Sequence, residues 1–248
     1  MKKAVVLAAG PGTRLQDFGL ELPKPLVSLL GVNLLERQLR CLASMEEISE
    51  VIVVIGCSSG AVKDGIDAMG ECRFMLKVVE NSKWKLGNGT SLAAVREELR
   101  GCHFFVLMVD HIFHPLTLEH FANECGNNLA LSVFEGEDER LDLDEATKVW
   151  VDGEGFVRKI GKELKKFTGV DMGLFSLDER IFPALKYAFQ DGDYSLTGGV
   201  KRLITQSSLY AILTRDIWFD IDTNDDYRHA LQYLESKNVS REQPDKRS

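Results

Sequence analysis

Short apolar runs rich in β-branched residues recur along the chain, separated by stretches whose apolar positions follow helical spacing. Residues 3–8, 51–56, 74–79, 104–109 and 129–134 are nearly unbroken in hydrophobicity, as strands covered on both faces must be. Residues 34–43, 61–69, 91–100 and 115–124 carry the spacing of amphipathic helices. This alternation predicts βαβ units on a parallel sheet and hence a doubly wound α/β fold.

From about residue 148 the texture changes. Residues 148–152 and 156–160 flank Gly153, Glu154 and Gly155, which predicts a β-hairpin inserted into the core as a lid or sheet extension. A strand at 170–176, a helix at 179–189, a helix after Thr197, a closing strand pair at 210–214 and 218–221, and a helix at 225–237 complete one expected domain, residues 1–237. Residues 238–248 are polar enough to read as a disordered tail or linker. There is no internal repeat.

Composition narrows the classes. A chain of 248 residues, 44% hydrophobic, can bury a full core without disulfides or structural metal. The formal net charge of −8, with no basic stripe, excludes a nucleic-acid partner. Five cysteines (Cys41, Cys57, Cys72, Cys102, Cys125) contain no C-x-x-C pair, so they read as small buried hydrophobes of a reducing compartment. The apolar segment at residues 4–9 is too short for a signal peptide or a membrane span, and the expected location is cytoplasmic.

Candidate chemistry begins where the first strand ends. Leu7, Ala8 and Ala9 lead into Gly10, Pro11, Gly12, Thr13 and Arg14, a concavity of backbone N–H groups suited to phosphate oxygens. Gly10 and Gly12 permit a close backbone approach that a Cβ would block. Arg14 can grip phosphate bidentately, and Lys24, between Pro23 and Pro25, adds a second cation on a stiff support. The Walker pattern is absent, and Arg14 and Leu15 replace the end of the dinucleotide fingerprint, so neither a P-loop kinase nor a dehydrogenase follows.

The run from Leu7 to Leu15 followed by Pro23, Lys24 and Pro25 resembles the L-A-A-G-x-G-T-R-L and P-K-P signatures of the nucleotidyltransferases that make sugar-nucleotides and related activated alcohols. The resemblance implies a Rossmann-like, mostly parallel sheet in which the glycine loop holds an NTP triphosphate, Arg14 aids pyrophosphate departure and Lys24 contacts the phosphates. The order of elements follows the family up to about residue 237.

Residues 104–109 lead an apolar strand into Asp110, and ligands in open α/β sheets sit beyond the carboxyl ends of strands. Mg²⁺ takes one or two carboxylates, so a second acid is expected from Asp220 or Asp222, which share a face. The resemblance favours Asp220, two residues after Trp218. Asp222 or Thr223 has the alternative role of capping the following helix. A transition-metal site on His111 and His114 lacks the ligand spacing zinc requires, leaving packing or a hydrogen bond to substrate.

Asn88, Gly89, Ser91 and Leu92 stand where the family places its base-contacting loop and look like the members that use CTP to activate phosphorylated alcohols. With Asp110, His111, Ile112 and Phe113 they resemble the inositol-1-phosphate cytidylyltransferases. The alternative for Asn88 and Ser91 is to start and cap a helix. Lys148, Lys159 and Lys162 offer cations for an acceptor phosphate, and the resemblance points to Lys159 or Lys162. His111 and Asp171 are counted with that site, while Asp142, Asp144 and Glu145 read as a solvated acidic loop.

The expectation is CMP transfer from CTP to L-myo-inositol-1-phosphate by direct in-line attack. Other acceptors stay open: phosphocholine with CTP, or a hexose-1-phosphate with UTP or dTTP. A catalytically silent regulatory subunit on the same fold stays open too, as does the oligomeric state. Members of the inositol-type family are often joined to a membrane-embedded alcohol phosphotransferase, so fusion to or association with one is a further expectation of the resemblance.

Overall fold

The computed structural model describes residues 2–12 and 22–242, with side chains through Lys237. Thr13 and Arg14 lie outside the described residues.

The first half alternates strand and helix. β1 (Lys2–Ala8) is followed by a 3-10 turn at Lys24–Leu26 and by the small ladder of β2 (Ser28–Leu29) and β3 (Val32–Asn33). Next come α1 (Leu34–Ala43), β4 (Ile48–Ile55), α2 (Ser59–Ala68), β5 (Met75–Glu80), α3 (Asn88–Ala93), β6 (Phe104–Met108), β7 (His111–Ile112), α4 (Pro115–Cys125) and β8 (Ala130–Phe134). The second half holds the hairpin β9 (Lys148–Val151) and β10 (Val157–Gly161), then β11 (Gly169–Leu177), α5 (Ile181–Gln190), α6 (Leu196–Leu203), β12 (Tyr210–Thr214), β13 (Phe219–Asp220) and α7 (Asn224–Glu242).

Among the described residues the main sheet runs β10-β9-β11-β6-β1-β4-β5, with β8 paired to β11 and β12 to β8. The segment β6-β1-β4-β5 is parallel, and β11 joins it antiparallel at β6. Two layers of helices follow from the period-two alternation of the buried strands. Ala4, Val6, Ala8, Val51, Val53 and Ile55 pack one core with Leu35, Leu39, Val62, Leu118 and Phe121 from α1, α2 and α4. Val5, Leu7, Ile52 and Val54 pack the other with Leu92, Phe182, Leu185 and Val200 from α3, α5 and α6. This is the expected doubly wound arrangement, and the hairpin extends the sheet at β11.

Five local expectations are corrected. The strand near 74–79 is the sheet edge, with Met75 67% exposed, so its apolar run does not mean burial on both faces. The predicted helix at 91–100 is instead α3, which starts earlier at Asn88 and stops at Ala93, followed by a separate 3-10 turn at Glu97–Leu99. The segments at 210–214 and 218–221 do not pair with each other. β12 adds to β8, whereas β13 forms a ladder with β7 at the mouth of the site. Of the cysteines only Cys125 is fully buried, the other four being partly exposed. The backbone of α7 continues through Glu242, five residues past the predicted end. No helix of the described residues is long and apolar enough to cross a membrane.

Candidate active site

The carboxyl ends of β1 and β6 face one cavity, lined by Leu7, Ala9, Gly10, Lys24, Trp84, Asn88, Ser91, Met108, Val109 and Asp110. Nothing lies within 4 Å of the Cβ position of Gly10, which leaves its backbone open to a ligand. Gly12 has a different reason to be glycine. Its φ is +65°, and a Cβ there would lie 2.6 Å from Lys24 Cβ. The glycine loop and the Pro-Lys-Pro segment are therefore one packed unit.

Lys24 is buried, and its ammonium donates to Asp110 Oδ2 at 2.6 Å and to Asp222. Burial by itself would lower its pKa, but Asp110, Asp222 and Asp220 outweigh that and raise it. In turn burial pushes the Asp110 carboxyl up while Lys24 and His111 pull it below its ordinary value. The resemblance implies a phosphate contact for Lys24; in the structure its ammonium meets the Asp110 and Asp222 carboxylates beside the glycine loop.

The β7–β13 ladder sets the second acid. His111 pairs with Asp220, and Ile221 N–H donates to Asp110 O at 3.0 Å, so three elements converge. His111 Nε2 lies 3.5 Å from Asp220 Oδ1 and 3.8 Å from Asp110 Oδ1, while its Nδ1 is 2.6 Å from Met172 O. Gln38 donates to the His111 carbonyl. Room for the imidazole comes from Gly173, φ +68°, where a Cβ would fall 2.5 Å from His111 Nδ1. Burial would depress the His111 pKa, but Asp220 and Asp110 raise it. Asp220 is pushed up to about 6, by burial first and then by Asp110 and Asp222, with His111 opposing.

Asp110 Oδ1 and Asp220 Oδ1 are both buried without a hydrogen-bond partner. One ligand atom from each of Asp110, Asp220 and His111 lies within 4.8 Å of the other two. Buried carboxylate oxygens with no donor are costly unless a cation meets them, and two converging carboxylates suit a hard divalent ion. The donor set thus fits a divalent cation held by Asp110 and Asp220. Asp222 is turned to Lys24, and the helix cap is Thr223: its Oγ1 accepts from Asp226 N–H at 3.2 Å, and its own N–H donates to Asp226 Oδ2 at 2.7 Å. His111 acts with carboxylates, and His114 instead accepts from Leu116 N–H at the start of α4.

The loop after β5 is organised by a residue that the sequence did not single out. Asn81, 4% exposed, donates to Thr90 Oγ1 at 2.9 Å and Ser91 Oγ at 3.1 Å and accepts from Lys83 N–H at 2.9 Å. Ser91 therefore does not cap a helix. Gly89 faces protein, since its Cβ would lie 2.7 Å from the carbonyls of Tyr194 and Ser195. Asn88 Oδ1 accepts from Leu196 N–H at 2.7 Å. Trp84 was also missed; nothing in the one-dimensional pattern distinguishes an aromatic on a cavity wall from one on the surface.

A second, larger cavity of about 440 Å³ adjoins this one through Asn88 and Met108 and reaches the β7–β13 ladder. Of the residues counted with the acceptor, His111, Lys162 and Asp171 line it, together with Asp220, Asp222, Arg140, Asp142 and Glu145. Lys162 Nζ lies 2.9 Å from Glu145. Arg140 is held by Asp138 and stacks over Phe219 at 4.4 Å. Asp142, Asp144 and Glu145 are all exposed, as a solvated loop would be, and Asp142 and Glu145 also border the cavity. Lys159 is not among the lining; its ammonium sits over Trp150 at 5.7 Å on the hairpin. Lys148 is buried and donates to Lys162 O at 2.7 Å. Asp171 accepts from Gly173 N–H at 2.7 Å, and burial pushes its carboxyl up to about 6.

A strand-end glycine loop joined to a buried lysine and paired carboxylates defines a nucleotidyltransferase-type α/β enzyme. Residues 4–210 match the MobA-like NTP transferase domain, and the chain belongs to that family. It is 32% identical over 240 residues to the Bifunctional IPC transferase and DIPP synthase of Archaeoglobus fulgidus, covering 96% of this chain and 45% of the relative. The protein of the same name from Aquifex aeolicus is 34% identical, covering 94% of this chain and 52% of the relative. The chain thus spans about half the length of these relatives. The inositol-1-phosphate CTP transferase from T. maritima superposes with a TM-score of 0.81 at 25% identity, covering 96% of each chain.

Proposed function

We propose that this chain is a cytidylyltransferase that moves CMP from CTP to L-myo-inositol-1-phosphate, giving CDP-inositol and pyrophosphate. The observation that carries the reaction type is the pair of orphaned buried oxygens, Asp110 Oδ1 and Asp220 Oδ1, beside Lys24 and the glycine loop. The choice of substrates is supported by the T. maritima structure and by the names of the relatives.

In this reading Leu7, Ala8, Ala9, Gly10, Gly12 and Thr13 cradle the triphosphate, Arg14 and Lys24 stabilise charge on the departing pyrophosphate, and Trp84, Asn88 and Ser91 form the wall around the nucleoside, with Gly89 packed against Tyr194 and Ser195 behind it. An acceptor phosphate oxygen attacks the α-phosphorus as the bond from that phosphorus to the bridging oxygen of pyrophosphate breaks. The acceptor is already anionic, so no general base is required; alignment and charge neutralisation carry the rate. Asp110 and Asp220 would hold Mg²⁺, which when bound supplies charge neutralisation and orientation at the phosphates. Lys162 and Arg140 are the cations at the acceptor cavity, with Asp171 and His111 available for hydroxyls.

The half-length match to proteins named bifunctional supports reading residues 1–237 as the nucleotidyltransferase unit of a larger activity, fused to or associated with a membrane alcohol phosphotransferase. A cytoplasmic location follows from that reading, since CTP and the acceptor phosphate would be drawn from solution. Pyrophosphate release measured over four NTPs against inositol-1-phosphate, phosphocholine and glucose-1-phosphate tests the proposal. Turnover confined to CTP with inositol-1-phosphate is expected, and turnover confined to UTP with glucose-1-phosphate would overturn it.

A further inference from the structure

One residue of the nucleoside wall carries chemical information beyond its position. Asn88 opens α3 and borders both cavities. Its side-chain oxygen accepts from the backbone N–H of Leu196, the first residue of α6, at 2.7 Å. A backbone N–H can be met only by the oxygen of a carboxamide, so the amide cannot be flipped without losing that bond. The nitrogen is left toward the cavities, and among the described residues it has no protein acceptor. The ligand is therefore shown a donor and no acceptor at this point.

The rest of the smaller cavity says what that donor meets. Its polar lining divides into Gly10, Lys24 and Asp110, the backbone and charges suited to phosphate and its counter-ions, and Trp84, Asn88 and Ser91, which are neutral. Ser91 Oγ already receives Asn81 Nδ2, at 3.1 Å. A neutral set with an aromatic side chain and a fixed donor is suited to a nucleobase, and the bases differ in what they offer a donor. Cytosine presents N3 and O2, both acceptors, whereas uracil presents N3–H, itself a donor, between its two carbonyls. A fixed N–H₂ opposite N3 pairs with cytosine and faces another N–H in uracil.

Resting on the reading of the chain as an NTP-dependent transferase, we propose that the Asn88 amide, locked by Leu196, is the group that selects cytosine over uracil. The lock comes from α6, whose Leu196 and Thr197 also line the acceptor cavity. The base-reading group is thus held by the same element that shapes the second site.

Asn88→Asp tests this, because a carboxylate keeps an acceptor for Leu196 N–H and turns a second acceptor toward the base. The ratio of kcat/KM for CTP over UTP is expected to fall by about tenfold or more, the size of one well-placed base contact. Any repulsion of the triphosphate by the new charge weakens both NTPs alike and cancels in the ratio. Asn88→Ser removes the amide and should bring the ratio toward one, which covers the case of a poorly folding Asp variant. Equilibrium binding of CMP and UMP to both variants gives the same comparison without chemistry. A ratio unchanged within about twofold in both variants, with wild type preferring CTP, overturns the role of Asn88 and leaves the cytidylyltransferase reading standing. A wild-type enzyme with no preference for CTP overturns both.

Discussion

Gly12 and Lys24 are in contact through their backbones: a Cβ at Gly12 would lie 2.6 Å from Lys24 Cβ and 3.2 Å from its Cα. The two sequence signatures thereby become one site, with the lysine ammonium carried to Asp110 and Asp222. Gly12→Ala should strain both the positive φ and this contact. We expect a loss of about 1–2 kcal/mol in chemical denaturation and a larger loss of turnover than of stability.

Lys24→Met removes the cation from a group of three carboxylates. Breaking a buried pair by deleting one partner costs about 3–5 kcal/mol. The melting temperature should drop, and added Mg²⁺ should restore more of it in the variant than in wild type. Equal Mg²⁺ shifts in the two proteins would argue against a cation site shared with Lys24.

Asp110→Asn keeps the shape of the strand end and removes the charge. Turnover should collapse by at least about 10²-fold, the usual scale for loss of a preorganised charge, while the far-UV spectrum stays native. Near-native turnover would refute the assignment.

Asp171 should set a pH dependence of stability. Its folded pKa, about 6, lies above that of an unfolded aspartate, so the folded state holds the extra proton between about pH 4 and pH 6. Stability from this group is therefore present below pH 4 and lost as pH rises through 6, by about 2–3 kcal/mol. Asp171→Asn keeps an acceptor for Gly173 N–H and should gain on wild type from pH 4.5 to pH 7.5 in urea titrations. A constant difference across that range would contradict the burial of this carboxyl.

Asn81→Ala leaves Thr90 and Ser91 without their shared donor. A loss of about 1–3 kcal/mol is expected, with KM for the NTP raised and KM for the acceptor little changed. Parallel changes in both would show that Asn81 supports the fold alone.

The alternation of apolar runs was enough to place the parallel strands and their helices, because a strand covered on both faces must be apolar throughout and only the βαβ arrangement covers it so. It failed at β5, where an edge strand kept the same composition, and at β13, which joined β7 in place of β12. Local chemistry similarly marked Gly10, Lys24 and Asp110, since a glycine loop after a buried strand and a carboxylate at a strand end are readable in one dimension. How the two late aspartates are used was not readable: Asp220 and Asp222 share a face, and only the fold sets Asp220 beside His111 across the ladder and Asp222 on Lys24 from the far end of the chain. Arg140, Asn81 and the locked amide of Asn88 became visible only in three dimensions. Sequence determines what each residue can donate, accept or bury; hydrogen bonds between residues a hundred positions apart decide which of those capacities is left facing the substrate.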